Sequence, residues 1–204
     1  YDHSGRGYAE ALEIDAATWA DKSARSHRVL LRSMRLTAAA ANNPVVDGSG
    51  FYAIGLKIEG QDSAVSVTGL TFNDWFYSGI DTQGILTLTD SVIDGGFSGL
   101  VIDGGRVDVA GTIVRNTGIF GLEIVEDGHA DVAHSELLGS GDSGIFVAEG
   151  TATITASRIT GNARGVVVGI DGTASVYGSY LAGNTRGAVD TTSVETLNAS
   201  VNWW

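Results

Sequence analysis

The sequence predicts an all-β protein, a parallel β-helix in which each coil is one repeat of about 22 residues. A glycine recurs in front of an apolar residue at Gly79, Gly99, Gly121, Gly144, Gly165 and Gly187. The steps are 20, 22, 23, 21 and 22 residues (99−79, 121−99, 144−121, 165−144, 187−165). Apolar residues alternate only briefly before a glycine interrupts them, which excludes helical repeats. A fixed period of this length predicts a solenoid of about seven to nine coils.

Each coil is predicted to begin with a short strand at the recurring glycine. An acidic or amide residue and a second glycine then form a turn, because glycine adopts positive φ without strain from a Cβ atom. These pairs are Gln83-Gly84, Asp103-Gly104, Asp127-Gly128, Glu149-Gly150 and Asp171-Gly172. A second strand follows, with alternating apolar residues at Leu86/Leu88, Val107/Val109, Ala130/Val132, Ala152/Ile154 and Ala174/Val176. The alternation predicts that these residues point inward and stack into columns.

The last third of each coil is predicted to hold a third strand between two polar positions. A small hydroxyl residue follows the second strand at Ser91, Thr112, Ser135, Ser157 and Ser179. The third apolar segment then ends in a turn, often with asparagine, at Asn116, Asn162 and Asn184. Stacking of the coils about 4.8 Å apart pairs each strand in parallel with its neighbours and lets the asparagines hydrogen-bond along the stack.

Two motifs carry a resemblance to a known family. Residues 144–162 contain Gly-Ile-x-Val, then Ala-x-Ile-x-x-Ser-x-Ile-x-x-Asn, and the chain closes with Asn202-Trp203-Trp204. This pattern resembles the right-handed, single-stranded parallel β-helix repeats of the pectate-lyase-like superfamily over about two thirds of the chain. That superfamily contains lyases, hydrolases, epimerases, tailspikes, adhesins and structural proteins. The resemblance therefore implies the fold and its handedness but not one activity.

The first quarter of the chain is less regular than the rest. We expect one domain, with irregular coils over 1–54 and regular coils over 55–204. Residues 12–55 hold either two degenerate coils or one coil with an insertion, for which 16–28 is the candidate. The chain begins with Tyr1 and stops where the closing motif would continue with glycine. We expect a fragment of a longer secreted chain, with neighbouring domains among its partners.

Composition narrows the partners and chemistry. The formal net charge is −12, from 24 acidic and 12 basic residues, which disfavours nucleic acid as a partner. The absence of cysteine excludes thiolate catalysis and cysteine-based metal sites. No apolar run reaches the length of a transmembrane helix, so we expect no membrane insertion. Carbohydrate or other cell-surface components are the expected partners, in an extracellular or cell-surface location.

An acidic column is predicted along the turn that follows the first strand. If the coils are in register, Gln83 joins a column of carboxylates from Glu59, Asp103, Asp127, Glu149 and Asp171. Ca²⁺ prefers such oxygen ligands, so Asp103, Asp127, Glu149 and Asp171 are candidate metal ligands and Ca²⁺ is a candidate cofactor. The alternative is that Asp-Gly is a favoured turn pair and that water screens the charges.

An aromatic edge is predicted just before the recurring glycines. Its residues are Trp75, Phe76, Tyr77, Phe97 and Phe120. Exposed aromatic rings bind the apolar faces of sugars, because they combine a large contact area with defined geometry. We expect Trp75 to be the most exposed of them. The alternative is that some of these rings point inward and fill the corner of the early coils.

Catalytic candidates are sparse. The resemblance implies acidic Ca²⁺ ligands with an Arg or Lys base for a lyase, or two or three aspartates for a hydrolase. Asp81, Asp103 and Arg106 are the candidates, but no compact cluster stands out. Because active sites usually disturb a regular repeat, the leading hypothesis is a non-catalytic stalk or adhesin-like module that binds carbohydrate. The alternative is a polysaccharide lyase, glycoside hydrolase or epimerase, which would need the three side chains in one groove.

Overall fold

A computed structural model shows a parallel β-solenoid with three faces. It describes residues 12–15, 27–29, 33–37, 45–48, 54–191 and 198–204. All regular elements within these ranges are β-strands, and every strand pair is parallel. Over the same ranges, no helix is long and apolar enough to cross a membrane.

The strands lie on three faces that follow one another around each coil. The first face contains β2 (His27–Val29), β5 (Ile54–Ile58), β8 (Ser78–Thr82), β11 (Ser98–Asp103), β14 (Phe120–Val125) and β20 (Gly187–Thr191). The second contains β1 (Leu12–Asp15), β3 (Ser33–Thr37), β6 (Ala64–Thr68), β9 (Ile85–Thr89), β12 (Arg106–Ala110), β15 (Gly128–Ala133) and β21 (Asn198–Ser200). The third contains β4 (Val45–Asp47), β7 (Thr71–Asn73), β10 (Val92–Asp94), β13 (Ile113–Arg115), β16 (Glu136–Leu138) and β18 (Arg158–Thr160).

Two long strands join the first and second faces. β17 (Ser143–Thr155) and β19 (Arg164–Tyr177) run from one face onto the other, so the two faces form a single 15-stranded sheet. The third face is a separate 6-stranded sheet. The solenoid has about six turns, slightly fewer than expected. Among the described residues beyond β18, the third face continues as isolated bridges at Tyr180 and Trp203.

The core consists of stacked apolar columns from all three faces. The inward positions predicted on the second strands are confirmed, since Leu86, Val107, Ala130, Ile154 and Val176 are all buried. Strand pairing places them in adjacent coils, with Val107 opposite Leu86 on one side and Ala130 on the other. Burial of such columns is the main favourable term in the folding free energy.

The hydroxyl residues form a buried ladder at the corner between the second and third faces. The backbone N–H of Thr112 donates to Ser135 Oγ at 3.2 Å, that of Ser135 to Ser157 Oγ at 3.2 Å, and that of Ser157 to Ser179 Oγ at 3.1 Å. Asn202 ends the ladder, because its Oδ1 accepts from the Ser179 N–H at 2.9 Å. A small hydroxyl therefore recurs because a buried N–H of the preceding coil needs an acceptor.

A second ladder lies at the corner between the third and first faces. Asn162 is fully buried, and its Oδ1 accepts from the Ser140 N–H at 2.8 Å. Asn184 repeats this contact on the Asn162 N–H at 3.1 Å. Asn116 does not belong to this ladder, because it is exposed with φ of 56° and Thr117 takes the inward position. Asn162 and Asn184 thus form the predicted ladder, whereas Asn116 hydrogen-bonds along the stack outside it, by donating to Asp94 Oδ1 of the preceding coil at 2.8 Å.

The recurring glycine is required by packing against the next coil. A Cβ atom on Gly121 would lie 2.4 Å from the carbonyl oxygen of Gly144, which is far inside van der Waals contact. Of the five turn glycines, only Gly104 and Gly150 have the predicted positive φ. At Gly84, Gly128 and Gly172 glycine is required by space instead, because a Cβ atom would lie 2.5, 2.7 and 2.3 Å from a carbonyl oxygen. Where the chain enters the first face, glycine is therefore required because adjacent coils approach closely. Between the first and second faces, some turns also require its backbone conformation.

The register of the first strands shows where the irregular region holds its extra residues. Leu12 pairs with Met34, an offset of 22 (34−12), so β1 to β3 is one coil of ordinary length. Met34 pairs with Val65, an offset of 31 (65−34). The extra length lies between Thr37 and Ala64 rather than in the candidate segment 16–28. His27 and Arg28 belong to β2, and 16–26 lies outside the described residues.

Candidate functional site

The aromatic edge, here Phe76, Tyr77 and Phe97, lies on the turns that lead into β8 and β11. Phe76 is 73% exposed, and Tyr77 and Phe97 are each 47% exposed. The Tyr77 and Phe97 rings are nearly parallel, with centroids 6.2 Å apart and an interplanar angle of 7°. Strand pairing of Ser78 with Ser98 sets this geometry, because the preceding residues then lie side by side in adjacent coils.

Trp75 is not exposed, contrary to the prediction. Its side chain is 3% exposed and belongs to the apolar core, and its Nε1 donates to the carbonyl oxygen of Val46 at 3.2 Å. A Cβ atom on Gly48 or Gly55 would strike the indole ring at 2.6 Å or 2.8 Å. Trp75 therefore fills the corner, and it anchors the turn that carries Phe76 and Tyr77.

Phe120 occupies the same column as Ser78 and Ser98 but one coil further on. It pairs with Ser98 in the sheet and is half-buried. Its ring stacks on Phe146 with centroids 4.7 Å apart and an interplanar angle of 18°. Phe120 is thus separate from the aromatic edge. Phe146 is not among the residues predicted above, although its outward place between buried Ile145 and Val147 is readable from the alternation.

Asp81 lies in an outward column of the first face, between Lys57 of β5 and Val101 of β11. It is nevertheless only 8% exposed, and its Oδ1 has no hydrogen-bond partner in the structure. Burial raises the pKa of the Asp81 carboxyl above its ordinary value of 3.8. The Lys57 ammonium acts in the opposite direction, and the carboxylates of Asp103, Glu59 and Glu123 raise the pKa further.

Three more polar side chains lie on this face near Asp81. Ser78 Oγ is buried without a hydrogen-bond partner, and Ser98 Oγ donates to Glu123 Oε2 at 2.7 Å. None of Ser78, Ser98 and Glu123 is among the site residues predicted from the sequence. Ser78 and Ser98 stand at ordinary repeat positions, and Glu123 falls at an outward position like any solvated residue. Their common place on one face follows from the register alone.

Two of the three catalytic candidates lie on the first face and one on the second, and the groove that Arg106 lines contains neither aspartate in its lining. Asp81 is on the first face, Asp103 ends β11 and accepts from Gln83 Nε2 at 2.7 Å, and Arg106 begins β12 on the second face. Arg106 Nη2 lies 2.7 Å from Asp131 Oδ2, so its guanidinium is already paired. The geometry therefore lacks the single groove that an Asp81, Asp103 and Arg106 site would require.

The acidic column is only partly in register. Glu149 pairs with Asp171, and the pairing of Gly128 with Gly150 places Asp127 beside Glu149. Asp103 instead pairs with Val125, because three residues separate Val125 from His129 but only two separate Asp103 from Arg106, which pairs with His129. Across the described ranges, no three His, Asp or Glu side chains come together as a group that could hold a metal ion.

Comparison with known proteins adds no family to this geometry. No protein-family model, curated protein or solved structure matches the chain. The chain is an all-β parallel solenoid whose first face carries a buried carboxyl and is bordered by a stacked pair of exposed aromatic rings.

Proposed function

We propose that the chain is a non-catalytic β-helix module of the extracellular or cell-surface type, with the fold of the pectate-lyase-like superfamily, which contacts carbohydrate through the aromatic edge. The stacked rings of Tyr77 and Phe97 are the observation that carries this proposal. The two rings form one flat surface that extends across two coils, and Phe76 adds a third exposed ring beside them. A rigid, repetitive scaffold also suits a stalk or adhesin-like role.

The chemistry of the edge favours a sugar over other ligands. Parallel rings present a flat apolar surface to the C–H face of a pyranose, and the ring hydroxyls remain free to hydrogen-bond. The net charge of −12 opposes binding of phosphate-rich partners. The buried Trp75 side chain holds the aromatic edge in place, because the turn that carries Phe76 and Tyr77 cannot shift without disturbing the core.

A glycan-array screen tests this proposal. The chain is applied with Ca²⁺ and again with EDTA, and bound glycans are examined for cleavage products. We expect binding without turnover, and Tyr77→Ala or Phe97→Ala each weakens it about tenfold, from loss of one ring contact of about 1.4 kcal/mol. Trp75→Ala is unsuitable as a binding test, because it removes a core side chain.

Tyr180→Ala is the matched control. Tyr180 is 44% exposed but lies on the third face, where its ring contacts the Arg158 guanidinium. Its replacement should leave glycan binding unchanged. Equal losses in all three variants would contradict the aromatic edge as the binding surface, and silence of the array in both buffers would leave a structural spacer.

The Asp81 carboxyl supports a second candidate, an enzyme acting on polysaccharides as a lyase, glycoside hydrolase or epimerase. A buried carboxyl with a raised pKa and an unpartnered oxygen is typical of general acids. Incubation with polysaccharides, followed by assays for reducing ends and for unsaturated products, tests this candidate. Turnover that Asp81→Asn abolishes would replace the non-catalytic proposal, whereas turnover that survives Asp81→Asn would exclude Asp81 as the acid.

A further inference from the structure

A groove lies at the corner between the first and second faces, where turn length changes from coil to coil. The segments between the aligned residues of the first and second faces can be compared in four successive coils. Measured this way, and so including some strand ends, they are residues 59–63, 83–84, 103–105 and 125–128. The two middle turns are shorter than the turns on either side of them. A shallow groove of about 290 Å³ therefore opens over the middle turns. The two flanking turns form its walls. They are three coils apart, and at about 4.8 Å per coil the groove is about 14 Å wide.

The walls and the floor of this turn groove are polar. Gln61 projects from one flanking turn and Asp127 from the other, and both residues are exposed. Neither side chain has a hydrogen bond or ion pair to another described residue. On the floor, Gln83 is held in place because its Nε2 donates to Asp103 Oδ2 at 2.7 Å. The groove thus offers both fixed and unpaired hydrogen-bonding groups.

One rim of the groove combines an apolar side chain with a guanidinium that is held in place, beside a histidine whose two ring nitrogens already contact Asp131 and Thr151. Ile85, Arg106 and His129 pair in successive strands of the second face, and Ile85 is 44% exposed. Asp131 holds the other two in place, because its Oδ2 lies 2.7 Å from Arg106 Nη2 and 3.0 Å from His129 Nε2. Side chains that are already ordered lose little conformational entropy when a ligand binds.

We propose that this turn groove is a second glycan subsite and that it takes a neutral sugar unit. Donors, acceptors and an exposed aliphatic side chain together match the hydroxyls and C–H face of a sugar. The carboxylate of Asp127, and that of Asp103 beside Gln83, disfavour phosphate or uronate groups, because like charges repel at this range, whereas the charge of Asp131 is offset by Arg106. The volume lies at the lower end for ligand pockets, which suits one or two sugar units rather than a whole oligosaccharide.

This inference rests on the proposed carbohydrate function and specifies its ligand. The aromatic edge precedes the strands of the first face, and the turn groove follows them. From Ser78 to Gln83 the chain advances five residues (83−78), or about 17 Å in an extended strand. One glycan that lies across the first face must therefore be several sugars long to reach both sites. Binding should strengthen with chain length.

The test measures affinity against length for the intact chain. The probes are neutral gluco-, manno-, galacto- and xylo-oligosaccharides from disaccharides to octasaccharides, with oligogalacturonides as the anionic comparison. For a neutral series that binds, we expect affinity to rise about tenfold once the oligosaccharide reaches both sites. The oligogalacturonides should show no such rise. Asp127→Gly should abolish the rise and leave binding of the short oligosaccharides unchanged.

Glu126→Gly is the matched control for Asp127→Gly. Both residues are exposed acids with positive φ in the same turn, but only Asp127 lines the groove. The control should keep the dependence on length. Equal affinity at all lengths, or the same behaviour of both variants, would overturn the groove inference while loss of binding in Tyr77→Ala still upholds the aromatic edge. Failure of every oligosaccharide to bind would overturn both proposals.

Discussion

The Asp81 carboxyl makes the stability of the chain depend on pH. Its folded-state pKa lies above 3.8, chiefly because of burial, so the unfolded chain loses this proton first as the pH rises. Asp81 therefore destabilises the folded state progressively between pH 3.8 and the raised pKa, and by a constant amount above it. We predict that Asp81→Asn raises the Tm at pH 7, because the amide has no charge to bury.

Thermal melts of the original chain and of Asp81→Asn across pH 3 to 8 measure this effect. The difference between them should vanish below pH 3.8, where both states of the original chain carry the proton. Asp62→Asn is the control, because Asp62 is an exposed aspartate that does not act on Asp81, and it should leave the melts unchanged. A lower Tm for Asp81→Asn at pH 7 would show that ionised Asp81 stabilises the fold.

In the ladder between the third and first faces, the stability of a turn depends on the side-chain amide of a single asparagine. Asn162 satisfies two buried backbone groups, the Ser140 N–H through Oδ1 and the Leu137 carbonyl through Nδ2 at 3.1 Å. Removing its side chain leaves the Ser140 N–H without an acceptor and takes one donor from the Leu137 carbonyl and one from Asn184 Oδ1, and a buried group left unpaired costs about 1–3 kcal/mol. We predict that Asn162→Ala lowers the free energy of unfolding by about 2–4 kcal/mol, measured by urea denaturation.

Asn116→Gly provides the comparison for this element. Asn116 is exposed, its side chain donates only to Asp94 Oδ1 at 2.8 Å, and its φ of 56° is a conformation that glycine adopts readily. The equivalent residue of the next coil is Gly139. Its substitution should change the free energy of unfolding by less than about 0.5 kcal/mol. Similar losses in the two variants would mean that the inward ladder adds nothing beyond an ordinary surface turn.

The molecule as a whole is held by one continuous core, which runs from Val46 to Leu181. Ile154 is fully buried in its middle, opposite Val132 and Val176 in the adjacent coils. An aspartate at this position would place an unpaired charge between apolar layers. We predict that Ile154→Asp costs more than about 4 kcal/mol and removes the cooperative unfolding transition, followed by circular dichroism.

Thr155→Asp distinguishes burial from a general effect of charge. Thr155 is the next residue of β17, and it points to the opposite side of the sheet. Its substitution should leave a cooperative transition with a loss of less than about 1 kcal/mol. A melt of Ile154→Asp within a degree of the original chain would show that the inward assignment of the second strands is wrong.

Coil period and inward columns were readable in the sequence because both follow from local chemistry. Alternation along a strand decides which of Ala152, Thr153 and Ile154 point inward, and the glycine spacing sets the repeat. The sequence could not place Trp75 in the core, choose Thr117 over Asn116, or reveal the buried carboxyl of Asp81. These depend on how many residues each turn holds and which coil lies beside it, and no periodic pattern records either. The tertiary fold also formed the turn groove, because turns of unequal length become walls and floor only when their coils are stacked.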